Sequence, residues 1–441
     1  MMEELCLERG ETNLKLNLRK VNIRNVEWGD KTHVEKGVLY VGKQEILDLV
    51  SKDERFKNVS VELARPGESI RILPVKDAVE PRCKKDDEKD VFPGFIGDVE
   101  TVGEGETVAL SGTAVLTCGK IVGFQEGIVD MTGPGAEYTP FSKTLNIVLV
   151  FEPVDDLEKH EYEAACRLAG LKTAHFLAKS AVDVEPDEIE TYELPDFAQA
   201  MNSCPGLPKV AYLYMLQSQG LLHDTYVYGV DAKKILPTFI HPNEVIDGAI
   251  VSGNCVSACD KNNTYAHQNN PVIKGMYERH GKDFNFVGCI ITNENTTLSD
   301  KKRSSAYAVK LAKMLGVQGL VITEEGFGNP DTDLIMNCRK AEQSGIKTVL
   351  VTDEYAGRDG SSQSLADACP EADAVVTAAN ANQTIVLPRL EKVIGYVDAA
   401  DVIAGGFDGS LRQDGSIEVE IQAITGATSE LGFSRISAYT I

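Results

Sequence analysis

Apolar and polar positions change rhythm along the chain. Up to about residue 130 apolar residues recur near every second position in short runs, as in VNIRNVEW, GVLYVG, VSVELA and SIRILPV. The same spacing returns in ETVALSGTAVLTCGKIVGFQEGIVD over 105–130. β-Branched residues at period two fit half-buried strands. The charged run CKKDDEKD at 83–90, followed by FPGF, predicts a solvated loop. MTGPGAEYTPF, with Gly133, Pro134 and Gly135, predicts an irregular backbone. From Glu158 to about Ser180 alanine, leucine and charged residues fall at helical spacing with basic residues toward the end, which predicts one amphipathic helix. The acidic stretch VDVEPDEIETYELPD then reads as a connector, and KVAYLYMLQSQG as a strand running into a loop.

Beyond residue 283 the pattern alternates. FNFVGCIIT, GLVIT, KTVLVT and DAVVTAA are short apolar runs, with the helix-length segments SSAYAVKLAKML, DTDLIMNCRKAEQSG and QSLADACPEA between them. That order predicts βαβ units. The expected fold class is α/β, with a mainly parallel sheet and flanking helices in the C-terminal half and a β-rich α+β N-terminal half. Whether the N-terminal half forms its own domain or lends strands to that sheet stays open. In such sheets a ligand sits at the carboxyl ends of the strands. The loops there are TNEN at 292–295, TEEGFGNPDTD at 323–333 and TDEYAGRDG at 352–360.

Composition narrows the function classes. At 441 residues the chain exceeds what one core usually serves, so two or three domains are expected. A formal charge of -23 repels phosphate backbones and anionic headgroups, so no nucleic acid is expected as a partner. No stretch approaches the roughly 20 apolar residues of a membrane helix, and MMEELCLERGETNLKLNLRK lacks a signal peptide's apolar run. A cytoplasmic location away from membranes is expected. The ten cysteines are scattered, which suits reduced core residues better than a disulfide framework.

The two rhythms meet at DGAIVSGNCVSACDKN, residues 247–262, where Asn254 stands directly before Cys255. A Cys255 thiol can attack the Asn254 carbonyl carbon, moving the acyl group from nitrogen to sulfur, and Gly253 offers the backbone freedom such a turn requires. β-Elimination then releases the upstream chain and leaves dehydroalanine, which tautomerises and hydrolyses to a pyruvoyl group and ammonia. A pyruvoyl ketone condenses with primary amines and withdraws electrons from the substrate's α-carbon. On the dipeptide alone, other readings stand beside this one. An Asn–Cys dipeptide also arises by chance, which makes Cys255 a buried thiol, and a further reading pairs it with Cys259 as a metal or redox pair. Against a metal, no His or second Cys pair lies close in sequence and the spacing is not CxxC, so no metal is expected. Splicing chemistry also favours Asn before Cys, but it normally places His where this chain has Gly253. His267 in TYAHQNNP stays unassigned between base, ligand and structural residue.

Longer strings sharpen the reading: CGKIVGFQEGIVDMTGPGAEYTPFSKT, YMLQSQGLLHDTYVYGVDAKKILPT, GAIVSGNCVSACDKN, NFVGCIITNEN, EEGFGNPDTDLIMNCRKAEQSG, DEYAGRDGSSQSLADA and IAGGFDGSLRQDGSIEVEIQAITGATSELGF. From about Val21 to Phe433 the chain resembles the proprotein of component B of the glycine, sarcosine and betaine reductases, with the D-proline reductase proprotein a more distant relative. The resemblance implies self-cleavage between Asn254 and Cys255, with Cys255 becoming the pyruvoyl group. The products would be a β-rich fragment 1–254 with its helix and a pyruvoyl-bearing α/β fragment 255–441, which remain associated. It further implies a separate selenocysteine-containing component B subunit and the selenoprotein component A, with component C and the thioredoxin system downstream.

By the same resemblance, glycine's amine forms a Schiff base with the pyruvoyl. A selenolate then displaces the nitrogen as ammonia, and acetyl phosphate follows. This is an oxidoreductase carrying out reductive deamination in amino-acid fermentation. Betaine has no N–H and cannot form an imine. A sarcosine or betaine reductase component B, or an unprocessed small-molecule-binding homologue, therefore stays as an alternative. Around the ketone, Glu324, Glu325, Asp331 and Asp333 are candidates to attract an ammonium group, and Arg358 to pair with the substrate carboxylate. Each is weighed against a solvated or capping role; Asp331, opening a helix-like segment after Pro330, suits an N-terminal cap.

Overall fold

The computed structural model describes residues 13–86, 90–97, 99–123, 125–201, 203–220, 222, 225–253 and 257–432. Asn254 and Cys255 lie outside the described residues. Two sheets form the N-terminal half. In the first, strand Asn13–Asn22 runs antiparallel to Glu188–Pro195 and parallel to Gly105–Ser111, which carries Arg82–Lys84 on its far side. The second has the order Gly127–Asp130, Ile70–Val79, Thr113–Cys118, Leu145–Pro153, Phe56–Ala64. Strand Lys392–Gly395, from the far end of the chain, joins it parallel to Ile70–Val79.

Helix Lys159–Lys179 lies against both sheets and against helix Lys43–Val50. Small residues permit the close approach: a Cβ on Gly170 would sit 2.7 Å from Thr117 Cγ2. The expected helix is there, but without a broad polar face. Glu163, Arg167 and Thr173 are buried along with its alanines and leucines, and Glu163 lies 3.0 Å from Lys76 and 3.2 Å from Arg167. Neighbours on several sides require the charges to be neutralised internally.

Two expectations for this half are corrected. The charged run at 83–90 begins as a buried strand, not a solvated loop, because Lys84 Nζ is held by Asp247, by Thr107 Oγ1 at 3.0 Å and by the Glu104 carbonyl at 2.9 Å. The acidic connector contains the edge strand Glu188–Pro195, whose Tyr192 and Leu194 are buried while Ile189, Thr191 and Glu193 at the alternate positions are exposed.

The C-terminal half contains a six-stranded sheet in the order Thr238–Ile240, Asn285–Asn293, Lys209–Leu216, Gly319–Thr323, Lys347–Glu354, Val375–Asn380. All neighbours are parallel except the first pair. Strands 209–216 and 238–240 precede residue 254, so the N-terminal segment supplies the middle of this sheet. Helices Leu298–Met314 and Asn329–Gln343 pack on one another and on the sheet around Leu213, Ile290, Leu320, Leu334 and Leu350. QSLADACPEA is not the expected helix. Pro370 cannot continue one, and the Ala366 N–H is taken by the Asp331 carboxylate.

The chain then folds back toward its first half. Thr425 N donates to the Ile128 carbonyl at 3.0 Å, Gly426 N to Ala258 O at 2.8 Å and Thr428 N to Cys259 O at 3.1 Å. Gly127 permits this three-way contact, since a Cβ there would lie 2.3 Å from Ala258 Cβ and 2.6 Å from Thr425 Oγ1. Among the described residues no helix is long and apolar enough to cross a membrane.

Candidate active site

Parallel strands end together, so whatever follows their last apolar residue is gathered at one edge. Here strand 285–293 delivers Glu294, strand 319–323 delivers Glu324 and Glu325, and strand 347–354 carries Asp353 near its end. Facing them are Asp260, from the turn at 258–260, and Glu430, from the returning tail. Asp331 stands in the first turn of the following helix and Asp333 two residues further along it. All eight carboxylates are buried.

The eight divide by what they hold. Glu325 accepts Asn262 N at 2.9 Å and Gln217 N at 3.1 Å, tying the end of the central strand to the loop after residue 257. Asp331 accepts Gly328 N at 2.7 Å as a helix cap and also holds Ala366 N. Asp333 is paired with Lys301 and accepts Asn295 N at 3.2 Å. Glu294 accepts Glu325 N at 2.9 Å through one oxygen. The others are less committed. Glu324 takes Thr352 Oγ1 at 2.7 Å, Asp353 takes Thr428 Oγ1 at 2.9 Å and Glu430 takes Gly326 N at 3.3 Å. In each of these the second oxygen has no hydrogen-bond partner, and neither oxygen of Asp260 has one.

Electrostatics follow from this crowding. Burial pushes the Asp260 carboxyl up to about 8, and the charge of Glu325 adds to the shift. Burial, and then the neighbouring acids, raise Asp353, Glu430, Glu324 and Glu294 well above the ordinary carboxylate range. A chamber of this kind holds protons at neutral pH or takes up a cation in their place. The ammonium of a small amine and a metal ion are the two natural occupants. Cys259, Asp260 and Asp353 have the donor atoms to hold the latter.

The segment on either side of residues 254–256 is pinned. Asp77, on strand 70–79, accepts Thr264 N at 2.9 Å and Thr264 Oγ1 at 2.8 Å, and Thr264 Oγ1 accepts Ser252 N at 3.1 Å. Lys261 Nζ donates to the Lys76 carbonyl at 2.6 Å. His267 is buried with Nδ1 2.7 Å from the Tyr214 hydroxyl, and burial lowers it to about 3, so it is a neutral imidazole at physiological pH.

Of the residues singled out from sequence, the structure brings Glu324, Glu325, Asp331 and Asp333 to the sheet edge. Arg358 stands outside the chamber with its side chain 58% exposed, its Nε donating to Glu420 Oε1 at 2.7 Å. A short relay connects it inward: Gln422 Nε2 donates to Glu420 at 2.5 Å, and Ser257 Oγ donates to Gln422 Oε1 at 3.3 Å. Asn254 and Cys255 fall outside the described residues. Asp260, Asp353, Glu294 and Glu430 were not singled out. An acid at the end of an apolar strand run signals Glu294 and Asp353, whereas Glu430 joins the site only through the fold-back of the tail.

The site is therefore a cluster of buried acids gathered at the carboxyl edge of the parallel sheet of an α/β scaffold. The chain belongs to the family of glycine/sarcosine/betaine reductase component B subunits, whose family model matches residues 14–439. It is 62% identical over 429 residues to the "glycine reductase complex component B subunits alpha and beta" of Acetoanaerobium sticklandii, covering 97% of this chain and 100% of that one. The protein of the same description from Peptoclostridium acidaminophilum is 59% identical over 425 residues, covering 96% and 99%. The "sarcosine reductase complex component B subunit alpha" of the latter organism is 56% identical over 425 residues, again covering 96% and 99%. These relatives are components of amino-acid reductase complexes, which makes the family's role an oxidoreductase one. No solved structure matches the chain.

Proposed function

We propose that this chain is the proprotein of the substrate-activating component B subunits of a glycine reductase complex, and that it cuts itself between Asn254 and Cys255 to convert Cys255 into a pyruvoyl group. The observation that carries this reading is the buried acidic chamber, one wall of which holds Asp260, five residues past Cys255. The second oxygen of Glu324, buried without a hydrogen-bond partner, suits a cationic amine next to an electrophilic carbonyl. Once formed, the pyruvoyl supplies that carbonyl, binding the substrate amine as a Schiff base for reductive C–N cleavage by selenoprotein component A, which leads to acetyl phosphate and ammonia.

The chain's own residues then have defined tasks. Glu324, with one open oxygen, faces the ammonium. Glu325, Asp331 and Asp333 hold the loops that shape the chamber. Arg358, tied through Glu420 and Gln422 to Ser257, meets the substrate carboxylate at the mouth. The protonated acids lend or accept the proton that must move when an amine loses or regains its charge.

Cleavage yields fragments 1–254 and 255–441, and interlocked sheets support their staying together. Strand 209–216, before the cut, lies between 285–293 and 319–323, after it, while 392–395 pairs with 70–79. A separate selenocysteine-containing component B subunit, component A, component C and the thioredoxin system complete the reaction. The relatives' names, which describe a multi-component complex, support this. Identities of 62% and 59% to glycine reductase subunits against 56% to the sarcosine one favour glycine as substrate.

Intact-mass spectrometry under denaturing conditions, on protein matured with its partner subunit, tests the proposal. The expected result is two fragments divided before Cys255, the later one blocked by a carbonyl that borohydride reduces onto glycine. A single uncut chain with a free Cys255 thiol would overturn it. Competition between glycine, sarcosine and betaine for the same reducible adduct then fixes the substrate.

A further inference from the structure

We propose that Cys259, Asp260 and Asp353 form a binding site for a divalent transition ion of the zinc or ferrous class. Cys259 Sγ and one carboxylate oxygen from each aspartate lie within 4.8 Å of one another, and all three residues are buried. Donors so spaced can surround one ion at roughly 2.0–2.3 Å with little movement. The second observation is the state of the oxygens. Both oxygens of Asp260 and Oδ1 of Asp353 are buried without a hydrogen-bond partner, as is Oε2 of nearby Glu430.

An isolated buried carboxylate is costly to keep, and this protein elsewhere answers that cost with a base. Asp130 has Arg71, Glu80 has Arg82 and Asp247 has Lys84. Among the described residues no ion pair joins Asp260, Asp353 or Glu430 to a lysine or arginine. Three donor atoms this close to one another suit a single metal ion. The thiolate among the donors selects a borderline ion over magnesium or calcium, which prefer oxygen alone.

Binding displaces the thiol proton, and any carboxylate proton, to solvent, so that three anionic donors face a doubly charged ion. Glu430 or a water completes the shell. The ion would fasten the turn at 258–260 to strand 347–354, and through the Asp353–Thr428 hydrogen bond to the returning tail. Cleavage before Cys255 leaves a chain end only four residues from Cys259, so this clasp would fix where that end lies. The site itself stands whether or not the chain cuts itself.

The test uses the full-length chain, stripped with a chelator and titrated with Cd2+ and Co2+. One equivalent is expected to bind with a thiolate-to-metal charge-transfer band, and zinc or iron is expected near stoichiometry in protein purified without chelator. Cys259→Ser should abolish the band. Asp353→Asn, which keeps the side chain's size, should weaken binding about tenfold or more. Cys204→Ser, which removes a half-buried thiol beside His280, should change neither. Far-UV circular dichroism and elution volume establish that each variant is folded, and Asp353→Asn alone carries the test where Cys259→Ser is not. Absence of the band in folded wild-type chain, its persistence in Cys259→Ser, or unweakened binding in Asp353→Asn would overturn the site. Mass spectrometry of the same samples reads self-cleavage separately, so the failure of one proposal is distinguishable from failure of the other.

Discussion

Buried charge is handled in opposite ways in two regions of this molecule. In the N-terminal sheets the buried acids Asp130, Glu80 and Glu163 each have a base at hydrogen-bonding distance. Arg71 grips Asp130 with two bonds of 2.7 Å, Arg82 Nε reaches Glu80 at 2.6 Å and Lys76 lies 3.0 Å from Glu163. At the carboxyl edge of the parallel sheet, Asp260, Asp353, Glu324 and Glu430 crowd together and share no such partner. Paired charges fix how one strand sits on another. The acids without a base make at most single hydrogen bonds, as Asp353 does with Thr428, and the local rule of charge satisfaction fails at this edge of the sheet.

Breaking one pair in each region should therefore give opposite results. Arg71→Met leaves Asp130 buried without its base and should lower unfolding free energy by about 3–5 kcal/mol in urea denaturation. Asp353→Asn replaces a carboxyl that burial favours in its neutral form with a neutral amide of the same size, and should leave stability within about 1 kcal/mol of wild type or raise it. Comparable losses in both variants would erase the distinction between the regions.

The next largest effect is spread over pH. Asp260 titrates near 8 in the fold against an ordinary 3.8, and its neighbours are raised in the same direction. The folded state thus binds more protons than the unfolded one between those values. The sign follows: the contribution of these groups is fully present below pH 3.8, falls as pH rises through the window and levels off above about 8. Thermal melts of the ligand-free chain across that range should show the decline, and Asp260→Asn should flatten it. A melting temperature that rises steadily from pH 5 to 8 in the wild type, with no change of slope in the variant, would mean that the chamber does not hold its protons.

Much of the scaffold is legible in the order of residues, and the reasons for the rest are physical. The apolar runs at 285–293, 319–323 and 347–354, the first buried along its whole length and the others over most of their residues, read as parallel strands, and the periodic segments between them read as helices. Strand 188–195 is hidden because an edge strand with one wet face can carry several charged and polar residues. Lys84 is hidden because its partner Asp247 lies 163 positions away. The same distance rule governs the site. Glu324 and Glu325 are visible as acids after a strand, but their company with Asp260 and Glu430 depends on a tail that returns across the sheet. The long strings resembling component B proproteins identify the family at once, yet carry no information on which acids keep an open oxygen.

Gly127 joins the two regions and gives a middle-sized prediction. Its missing side chain lets the turn at 258–260 and the tail at 423–425 touch strand 127–130. Gly127→Ala should cost about 1–3 kcal/mol through overpacking. It should also slow self-cleavage, followed as the uncut fraction by mass spectrometry, because the turn it displaces begins three residues after Cys255. Full destabilisation with normal cleavage would show that the turn is not what positions the junction.

The smallest expected effect separates surface from chamber. Arg358 pairs with Glu420 while more than half exposed, and a pair of that kind contributes about 0–1 kcal/mol. Arg358→Ala should therefore leave the denaturation midpoint almost where it was. If its guanidinium meets the substrate carboxylate, KM for glycine rises in the reconstituted complex while kcat changes little, and Arg358→Lys restores only part of the loss, since a lysine cannot offer the two parallel donors of a guanidinium. Glu420→Gln keeps the relay to Gln422 and Ser257 near neutral geometry but removes the charge that orients Arg358, so it should raise KM by less than the arginine variant does. An unchanged KM in Arg358→Ala would confine recognition of the substrate to the buried acids and leave this ion pair as one more solvated contact on the surface.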